Sequence, residues 1–476
     1  MLRPYGGLTF TTERLHEEIF LSTQPAPWFD VESDYFDWID AETGYVPLRL
    51  PRRYLGPVWC SWGLNLAIDE QAIWENARAG AELGFRNVII DAGWFHQTCG
   101  FWHSAPLGSD ALEFGRIRPN LAKFPDLGGL VARIHRELDM GVQLWVCPRH
   151  LFTPFEDGPR ALDPRLLDAR IVTAKGERKS LLCTRNPDAR RHGAQLVRRL
   201  VEETGVDGLK FDAWFEDDTS TCYATHVHDC QTAGEGIVAW AREIHEATES
   251  TGRELLVWFG PPGVKQYGNY WGNNDEVYSH ADGQYLSGMQ SQTENRPVFQ
   301  IVGADWHLDE EDVNVARFLA MAQCGMIPES FTDLTVMRES HRCITRAWNA
   351  FFMAHMDELL YGRYRPHGWE KNTGGPYSAT LLPVSIQSGR TAFFWATPVT
   401  LPELALEGEC DALYMVNIQN EPGIALTIRN LAPGEYCLRV KDICLETVAE
   451  ERTACDGTLR LDLPVPVAGM AEVVRI

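Results

Sequence analysis

The stretch Gly208-Leu209-Lys210-Phe211-Asp212-Ala213-Trp214 has the pattern of a buried strand end that carries two opposite charges. Because successive side chains of a strand alternate between faces, Lys210 and Asp212 point to one side while Leu209 and Phe211 pack on the other. Burying two charges in an apolar strand is costly unless they are paired or used by a site. We interpret Asp212 as a catalytic carboxylate with Lys210 beside it; the alternative is an ion pair that only stabilises the fold.

Around this stretch, from about Pro57 onward, short apolar runs alternate with longer amphipathic stretches, which is typical of βα units and a parallel sheet. Eight strands are predicted, at residues 58–62, 87–91, 142–147, 207–212, 255–259, 276–281, 298–303 and 325–329. Helices are predicted between them, at residues 69–83, 127–138, 188–203 and 236–250. Eight strands alternating with helices predict an α/β fold, a (β/α)8 TIM barrel over residues 57–362, with its active site at the C-terminal ends of the strands.

The texture of the sequence changes after Gly362 to alternating, β-branched runs separated by Gly, Pro and Asn. Such runs occur at residues 391–396, 412–418, 424–428 and 472–476. They predict a C-terminal antiparallel β-sandwich domain over residues 363–476. Residues 1–56 show no clear period, and we expect an irregular N-terminal extension that packs on the barrel.

Composition excludes several classes of protein. The 43 basic and 66 acidic residues give a net charge of −23, which repels phosphate backbones and anionic lipid surfaces, so nucleic acid is not expected as a partner. The N-terminus lacks a signal-peptide pattern and no apolar run reaches 18 residues, so neither secretion nor membrane insertion is expected. The 12 scattered cysteines are expected to be free thiols of a cytoplasmic protein. A homo-oligomer is left open.

Carboxylates follow several of the predicted strands. Asp91, Asp212, Asp282 and Asp305 come at or after the second, fourth, sixth and seventh strands, where a barrel gathers its active-site residues. Glycosidic bonds are cleaved with retention by two such groups, one attacking the anomeric carbon and one protonating the leaving oxygen. Asp212 suits the nucleophile because the nearby Lys210 cation keeps it ionised, and Asp282 is the best candidate for the acid.

Five segments carry a resemblance to a known family. The order and spacing of these segments resemble the melibiase-type α-galactosidases of glycoside hydrolase clan D, closest to family 36. The matching segments are Val58-Trp59-Cys60-Ser61-Trp62, Ile90-Asp91-Ala92-Gly93-Trp94-Phe95, Lys123-Phe124-Pro125-Asp126-Leu127, Met140-Gly141-Val142-Gln143-Leu144-Trp145 and Gly208-Leu209-Lys210-Phe211-Asp212. The resemblance covers a little over half of the chain, and its motifs are specific in combination.

The resemblance implies a retaining α-glycosidase that hydrolyses a terminal α-galactosyl or related residue of a glycoside or oligosaccharide. Asp212 would form the covalent glycosyl-enzyme, and Asp282 would act as acid and then as base. The implied substrate-binding residues are Asp91, Trp94, Trp145, Lys210, Trp62 and Arg149. For Asp91 the alternative is a helix-capping role. No phosphate-binding glycine motif occurs, so no cofactor is implied, and no metal either.

Three positions depart from the family pattern. The family usually carries two adjacent aspartates where this chain has Asp91 and Ala92, and it tends to be acidic at Arg149 and at Cys183. Losing one charged acceptor of sugar hydroxyls penalises a sugar that presents them both. We therefore expect a sugar that differs from galactose around C4 to C6, such as an N-acetylated, deoxy or pentopyranose relative. Arg149 either binds an anionic or otherwise altered substrate or forms an ion pair with a carboxylate of the protein.

Two other classes of function remain open. His226 and His228, with Cys222 and Cys230 nearby, have donors that zinc accepts, which would suit a metal-dependent TIM-barrel hydrolase. A sugar-binding barrel that has lost catalysis is the other alternative, suggested by Ala92. A transglycosidase is a mechanistic relative, because a sugar can replace water as the acceptor. Glu294, Asp305 and Glu329 either line the pocket or act in caps and ion pairs.

Overall fold

The computed structural model describes residues 52–64, 67–94, 119–146, 149, 168–211, 222–253, 255–259, 269–270, 301–304, 309–367 and 382–476, together with Asp34, Trp38 and Ala41. The chain divides into two compact units. The first unit comprises Leu48–Trp271 and Ser330–Val336. The second unit comprises Met1–Pro47, Gly272–Glu329 and Met337–Ile476.

A parallel sheet forms the centre of the first unit. Its strands lie side by side in the order β1 (Val58–Cys60), β2 (Asn87–Ile90), β3 (Gly141–Val146), β6 (Gly208–Phe211), β7 (Leu256–Phe259) and β8 (Asn269–Tyr270). Every residue of β1, β2 and β6 is buried. Parallel strands covered on both faces need continuous apolar sequence, which explains runs such as Asn87-Val88-Ile89-Ile90. A separate antiparallel hairpin consists of β4 (Arg170–Val172) and β5 (Arg178–Leu182).

The helices of the first unit begin at side chains that cap them. They are α1 (Glu70–Glu82), α2 (Leu127–Leu138), α3 (Pro187–Thr204) and α4 (Ala233–Glu249). Asp69, Asp126 and Asn186 accept hydrogen bonds from first-turn amides, and Thr232 with Glu235 forms a capping box on α4. These caps satisfy N–H groups that have no partner within the helix.

Two glycines are required by close packing in this unit. A Cβ on Gly63 would lie 1.7 Å from the carbonyl oxygen of Phe331, so only glycine lets the two backbones approach there. Gly193 on α3 has the indole of Trp240 at 2.4 Å from its hypothetical Cβ. Trp240 on α4 is fully buried, so this glycine makes room for the α3–α4 contact.

After Asp34, Trp38 and Ala41, the described part of the second unit continues with β9 (Ile301–Ala304), α5 (Asp312–Ala322), β10 (Ile327–Ser330) and α6 (Glu339–Tyr361). The last residue of β10, Ser330, is counted in the first unit. In the sheet order β9 and β10 are neighbours. Trp348 on α6 donates its indole N–H to the carbonyl of Ile443 at 3.1 Å, so α6 packs with the C-terminal residues. Among the described helices, including the 23-residue α6, none combines the length and apolarity needed to cross a membrane.

Among the described residues after α6 there are ten strands: β11 (Arg363–Pro366), β12 (Val384–Ser388), β13 (Thr391–Ala396), β14 (Glu403–Cys410), β15 (Ala412–Asn417), β16 (Ile424–Leu431), β17 (Gly434–Lys441), β18 (Thr447–Cys455), β19 (Thr458–Leu463) and β20 (Met470–Arg475). They form a seven-stranded sheet, β11-β12-β13-β15-β20-β17-β18, and a three-stranded sheet, β14-β16-β19. One apolar core contains side chains from both sheets, such as Phe394, Met415, Leu426 and Leu461. The two inner faces therefore pack against each other.

The α/β architecture with a parallel sheet and a β-rich C-terminal region is confirmed. Closure of the parallel sheet into an eight-stranded barrel stays a prediction. The expectation of a purely antiparallel sandwich is wrong for two pairs, because β13 pairs with β15, and β14 with β16, in parallel. The chain leaves one sheet for the other between the members of each pair, which lets both members run in the same direction. The predicted strand 276–281 and nearly all of the predicted extension 1–56 lie outside the described residues.

His367, just after β11, makes the stability of the β-rich region depend on pH. Burial, with a smaller contribution from Arg365, lowers the pKa of His367 to about 4, from an ordinary value near 6.5. Between these two values the unfolded chain binds the proton and the folded chain does not, so stability falls as the pH is lowered through this window. The effect is about 2 kcal/mol between pH 7 and pH 5.

We therefore expect His367→Gln to lose less stability between pH 7 and pH 5 than the wild type. Urea unfolding of both proteins at several pH values measures the difference, and glutamine retains a polar group opposite the Ser385 hydroxyl, which His367 contacts at 2.8 Å. Parallel stability–pH curves for the two proteins would contradict this assignment.

Candidate active site

The strand register brings Asp91, Trp145 and Lys210 to one level of the sheet. Trp145 on β3 pairs with Lys210 on β6, and Leu144 pairs with Ile90, so Asp91 lies level with Trp145. Aligned residues of neighbouring parallel strands point to the same face. The carboxyl ends of β2, β3 and β6 therefore present these three side chains together.

Asp91 and Lys210 form a buried ion pair. The Lys210 ammonium lies 2.8 Å from Asp91 Oδ2, and the two side chains are 4% and 3% exposed. The Cys60 thiol donates to the same carboxylate oxygen at 3.2 Å, and the ring of Phe331 lies 5.8 Å from the ammonium. A charge pair so deeply buried needs this density of polar partners to offset its lost hydration.

The turn after β2 holds the Asp91 carboxylate in place. The backbone N–H of Asp91 donates to the Ser61 hydroxyl at 2.8 Å, and the N–H of Ala92 donates to Asp91 Oδ1 at 2.7 Å. One carboxylate oxygen thus satisfies the local backbone while the other binds Lys210. The helix-capping alternative for Asp91 does not account for the oxygen that binds Lys210.

The structure places the other candidate residues as follows. Trp94 is fully buried and donates its indole N–H to the Trp145 carbonyl at 2.9 Å, which ties the turn after β2 to β3. Trp62 is half-buried in the 3-10 turn Ser61–Leu64 after β1. Arg149 is buried, and its Nε donates to the carbonyl of Leu182 at the end of β5. Glu329 is a buried residue of β10.

The two proposed catalytic carboxylates lie outside the described residues. Asp212 comes one position after the last residue of β6. Asp282 and Glu294 lie in the undescribed residues 271–300, and Asp305 lies in the undescribed residues 305–308. Their roles stay predictions. The contacts of Cys60, Ser61 and Phe331 with the Asp91–Lys210 pair were not predicted from the sequence, because these residues come from segments distant in the chain and no local pattern shows which groups they contact.

A second group of polar side chains lies in the same unit. Cys183 follows β5, and Cys222, His226 and His228 lie between β6 and α4. Their ligand atoms all lie within 4.8 Å of one another, with Cys183 Sγ 3.5 Å from His228 Nε2 and Cys222 Sγ 3.8 Å from His226 Nε2. We call these four residues the Cys2His2 cluster. It is the one group with metal-binding geometry among the residues that the structure describes.

The composition of this cluster corrects one expectation from the sequence. Cys230 was expected beside Cys222 and the two histidines, but the structure brings Cys183 there instead. Cys230 donates to the carboxylate of its neighbour Asp229 at 3.5 Å. Cys183 and His228 are 45 residues apart, so no local spacing pattern reveals them as partners. All ten described cysteines have free thiols.

Hydrogen bonds within the cluster divide the charge between the two thiols. The bond from Cys183 lowers the pKa of the Cys222 thiol to about 3, against the opposing effect of burial, and His226 adds to the lowering. The same bond, together with burial, raises the pKa of the Cys183 thiol. One thiolate is therefore stabilised by hydrogen bonds that already converge on it.

The segment that carries the cluster is attached to the start of α3 by a buried arginine. Arg190, 4% exposed, forms ion pairs with Asp229 at 2.6 Å and with Glu243 of α4 at 2.8 Å. It also donates to the carbonyl of Thr184 at 2.8 Å. The guanidinium thus connects residues on both sides of the cluster and holds them in register.

Comparison with known proteins gives the fold a name. No protein-family model matches the chain, and no curated protein sequence matches it. Among solved structures, the α-galactosidase of Lactobacillus brevis matches with 12% identity and a TM-score of 0.62, over 94% of this chain and 58% of that one. A family 36 α-galactosidase of Geobacillus stearothermophilus matches with 14% identity and a TM-score of 0.59, over 88% and 55%.

A third match is covered over its whole length. A putative α-N-acetylgalactosaminidase of Bacillus halodurans matches with 15% identity and a TM-score of 0.54, over 91% of this chain and 100% of that one. The chain thus spans little more than half the length of the two α-galactosidases. This protein shares the fold of the family 36 α-galactosidases.

Proposed function

We propose that this protein is a retaining α-glycosidase that hydrolyses a terminal α-galactosyl or galactose-related residue through a covalent glycosyl-aspartate. The observation that carries the proposal is the buried pair of Asp91 and Lys210 at the carboxyl ends of neighbouring parallel strands. In α/β sheets this edge is where ligands bind. The fold shared with α-galactosidases supports the same reading, as does Asp212 one position beyond β6.

Each charged group has a task in this mechanism. If the alternation of β6 continues to position 212, Asp212 shares the face of Lys210, whose positive charge keeps the nucleophile ionised. Asp212 attacks the anomeric carbon while Asp282 protonates the departing oxygen; Asp282 then deprotonates the water that hydrolyses the intermediate. Asp91 and Lys210 accept from and donate to sugar hydroxyls, and Trp145 lies at the same level of the sheet.

The comparisons and Ala92 support the proposed substrate class. Variants of the Geobacillus stearothermophilus α-galactosidase have been solved with raffinose and with stachyose, both α-galactosides. Here Ala92, whose residue is 3% exposed, replaces the second carboxylate of the family motif, so one acceptor of sugar hydroxyls is missing. We propose a glycone altered from galactose, in an N-acetylated, deoxy or pentopyranose relative.

A panel of aryl glycosides tests this function. We expect turnover of α- but not β-anomers among galactose, N-acetylgalactosamine, glucose, arabinopyranose and fucose derivatives, with at least one galactose relative preferred over galactose. Steady-state kcat/KM for each substrate measures the preference. Equal or better turnover of the unmodified α-galactoside would contradict the altered glycone but not the mechanism.

Asp282→Ala separates an enzyme from a sugar-binding barrel. We expect this variant to retain turnover of substrates with activated leaving groups and to lose it with poor ones, because only poor leaving groups need protonation. Azide should restore its rate and give a glycosyl azide of α configuration. Absence of any turnover in the wild type, with measurable sugar binding, would favour the binding protein.

A further inference from the structure

We propose that Cys183, Cys222, His226 and His228 bind one zinc ion as a structural site that joins the end of the β4–β5 hairpin to the segment before α4. The site shares no residue with the Asp91–Lys210 pair and has no part in the glycosidase chemistry proposed above. Three independent features of the structure support it: the distances, the orientation of the ligands, and the local lack of apolar core.

The distances are those of a nearly assembled tetrahedron. Zinc with sulfur at about 2.3 Å and nitrogen at about 2.0 Å places its ligand atoms roughly 3.3–3.8 Å apart. In the Cys2His2 cluster two sulfur–nitrogen separations are 3.5 and 3.8 Å, and all pairs lie within 4.8 Å. Binding therefore needs only a small contraction of side chains that already converge.

The ligands are oriented by groups outside the cluster. His226 Nδ1 lies 2.6 Å from the carbonyl oxygen of Asp168, a bond in which the ring nitrogen must donate. In the neutral ring, which is the form that binds a metal, Nε2 then carries the lone pair on the side of Cys222. A histidine held through its other nitrogen in this way is the usual arrangement of a metal ligand.

The sulfurs accept hydrogen bonds that suit thiolates. Val172 donates its backbone N–H to Cys222 Sγ at 3.4 Å, and the amide of Ala224 donates to the same sulfur. The amide of Arg185 donates to Cys183. In both cysteines the donor is the backbone amide two residues ahead, so the backbone itself supports negative charge on sulfur.

The segment around the cluster has little apolar core to stabilise it. Residues 222–228 alternate, with Cys222 buried, His226 and His228 half-buried, and Tyr223 and Val227 59% and 68% exposed. The apolar cluster behind them is small: Ile171, Leu181 and the two cysteines, with Ala224 against them. Segments that lack sufficient core are commonly stabilised by a bound metal.

The donor set identifies both the metal and its role. Two thiolates and two imidazoles in a tetrahedron suit Zn²⁺, whereas carboxylate and carbonyl oxygens suit Mg²⁺ and Ca²⁺. Four protein ligands complete the coordination of zinc and leave no position for water, as in structural sites; catalytic zinc keeps a position open. This argues against the metal-dependent hydrolase that His226 and His228 alone suggested.

Metal analysis of untagged, purified protein tests the site without any substrate. We expect about one zinc per chain by mass spectrometry of the elements, and less than about a tenth in Cys222→Ser and in His226→Ala. The matched control is Cys230→Ser, in the same segment, whose thiol contacts Asp229 outside the cluster; it should retain about one zinc. Zinc retained by Cys222→Ser would overturn the proposal.

Cobalt substitution of the wild type guards against misfolded variants. Co²⁺ added to the zinc-free, reduced protein should give the absorption bands of tetrahedral, thiolate-bound cobalt, and zinc should abolish them. No metal bound under reducing conditions, or a Cys183–Cys222 disulfide in the purified protein, would overturn the site. If removing zinc abolishes turnover but leaves thermal unfolding unchanged, the structural role is overturned. A lower Tm of the zinc-free protein, restored when zinc is added back, supports the structural role.

Discussion

Replacing Asp212 with alanine is expected to lower kcat/KM for aryl α-glycosides by about 10⁴-fold or more, because the covalent intermediate no longer forms. The variant is expected to unfold at a urea concentration close to that of the wild type, because the substitution removes a carboxylate that the proposed mechanism uses for catalysis. Steady-state kinetics and urea unfolding of the same preparations separate the two effects.

Azide distinguishes a missing nucleophile from a damaged fold. In Asp212→Ala, azide attacks the anomeric carbon from the face that the carboxylate occupied, the bond to the aryloxide breaks, and a β-glycosyl azide forms. The matched control Asp309→Ala removes an exposed aspartate elsewhere and should retain full turnover. Undiminished activity in Asp212→Ala, or no β-azide product with any substrate of the wild type, would contradict the assignment.

Breaking the Asp91–Lys210 pair is expected to destabilise the protein by about 3–5 kcal/mol. Lys210→Met has a similar volume but leaves the Asp91 carboxylate buried, with 3% of its side chain exposed and its ammonium partner gone. Asp91→Asn leaves the ammonium in the same position. The midpoints of urea unfolding, with unchanged slopes, measure each loss.

The double variant Asp91→Asn/Lys210→Met shows what the pair is for. Since neither charge is then left alone, we expect it to be more stable than the sum of the single losses by about 1 kcal/mol or more. If the pair binds sugar hydroxyls, this stable double variant has little turnover. Additive losses would refute the direct coupling, and a stable double variant with wild-type kcat/KM would leave the pair a stabilising contact only.

Much of the fold is readable from local pattern. The predicted helix 127–138 and strand 391–396 coincide with α2 and β13, and the strands predicted at 87–91 and 142–147 end one residue later than β2 and β3. Caps and apolar runs mark these elements because they act over a few residues, within reach of sequence analysis. The parallel pairs of the sandwich were missed, since the path of a chain between two sheets has no local signature.

The partners of the charged residues were harder to predict from the sequence than the helices and strands. From the sequence Lys210 has Asp212 as its obvious partner two positions away, but the buried ion pair that the structure describes joins it to Asp91, 119 residues earlier. Likewise, the sequence suggested Cys230 as a member of the Cys2His2 cluster, and the structure has Cys183 there. In both cases the partners are close in space but distant in the chain. Lys210 and Asp91 meet across the sheet, and Cys183 meets the other ligands where a hairpin lies next to a loop.

The sequence by itself determined the strand that carries Lys210, the βα order around it and the carboxylate that follows it, because periodicity and alternation are local properties of the chain. Only the tertiary structure decided which charges meet. Parallel strands place residues from distant segments at one level, so the strand register brings Asp91 and Lys210 together. Separating the two charges would leave each of them buried without a partner, which is costly, so the pair stays together. The same long-range assembly made four scattered thiols and imidazoles a cluster.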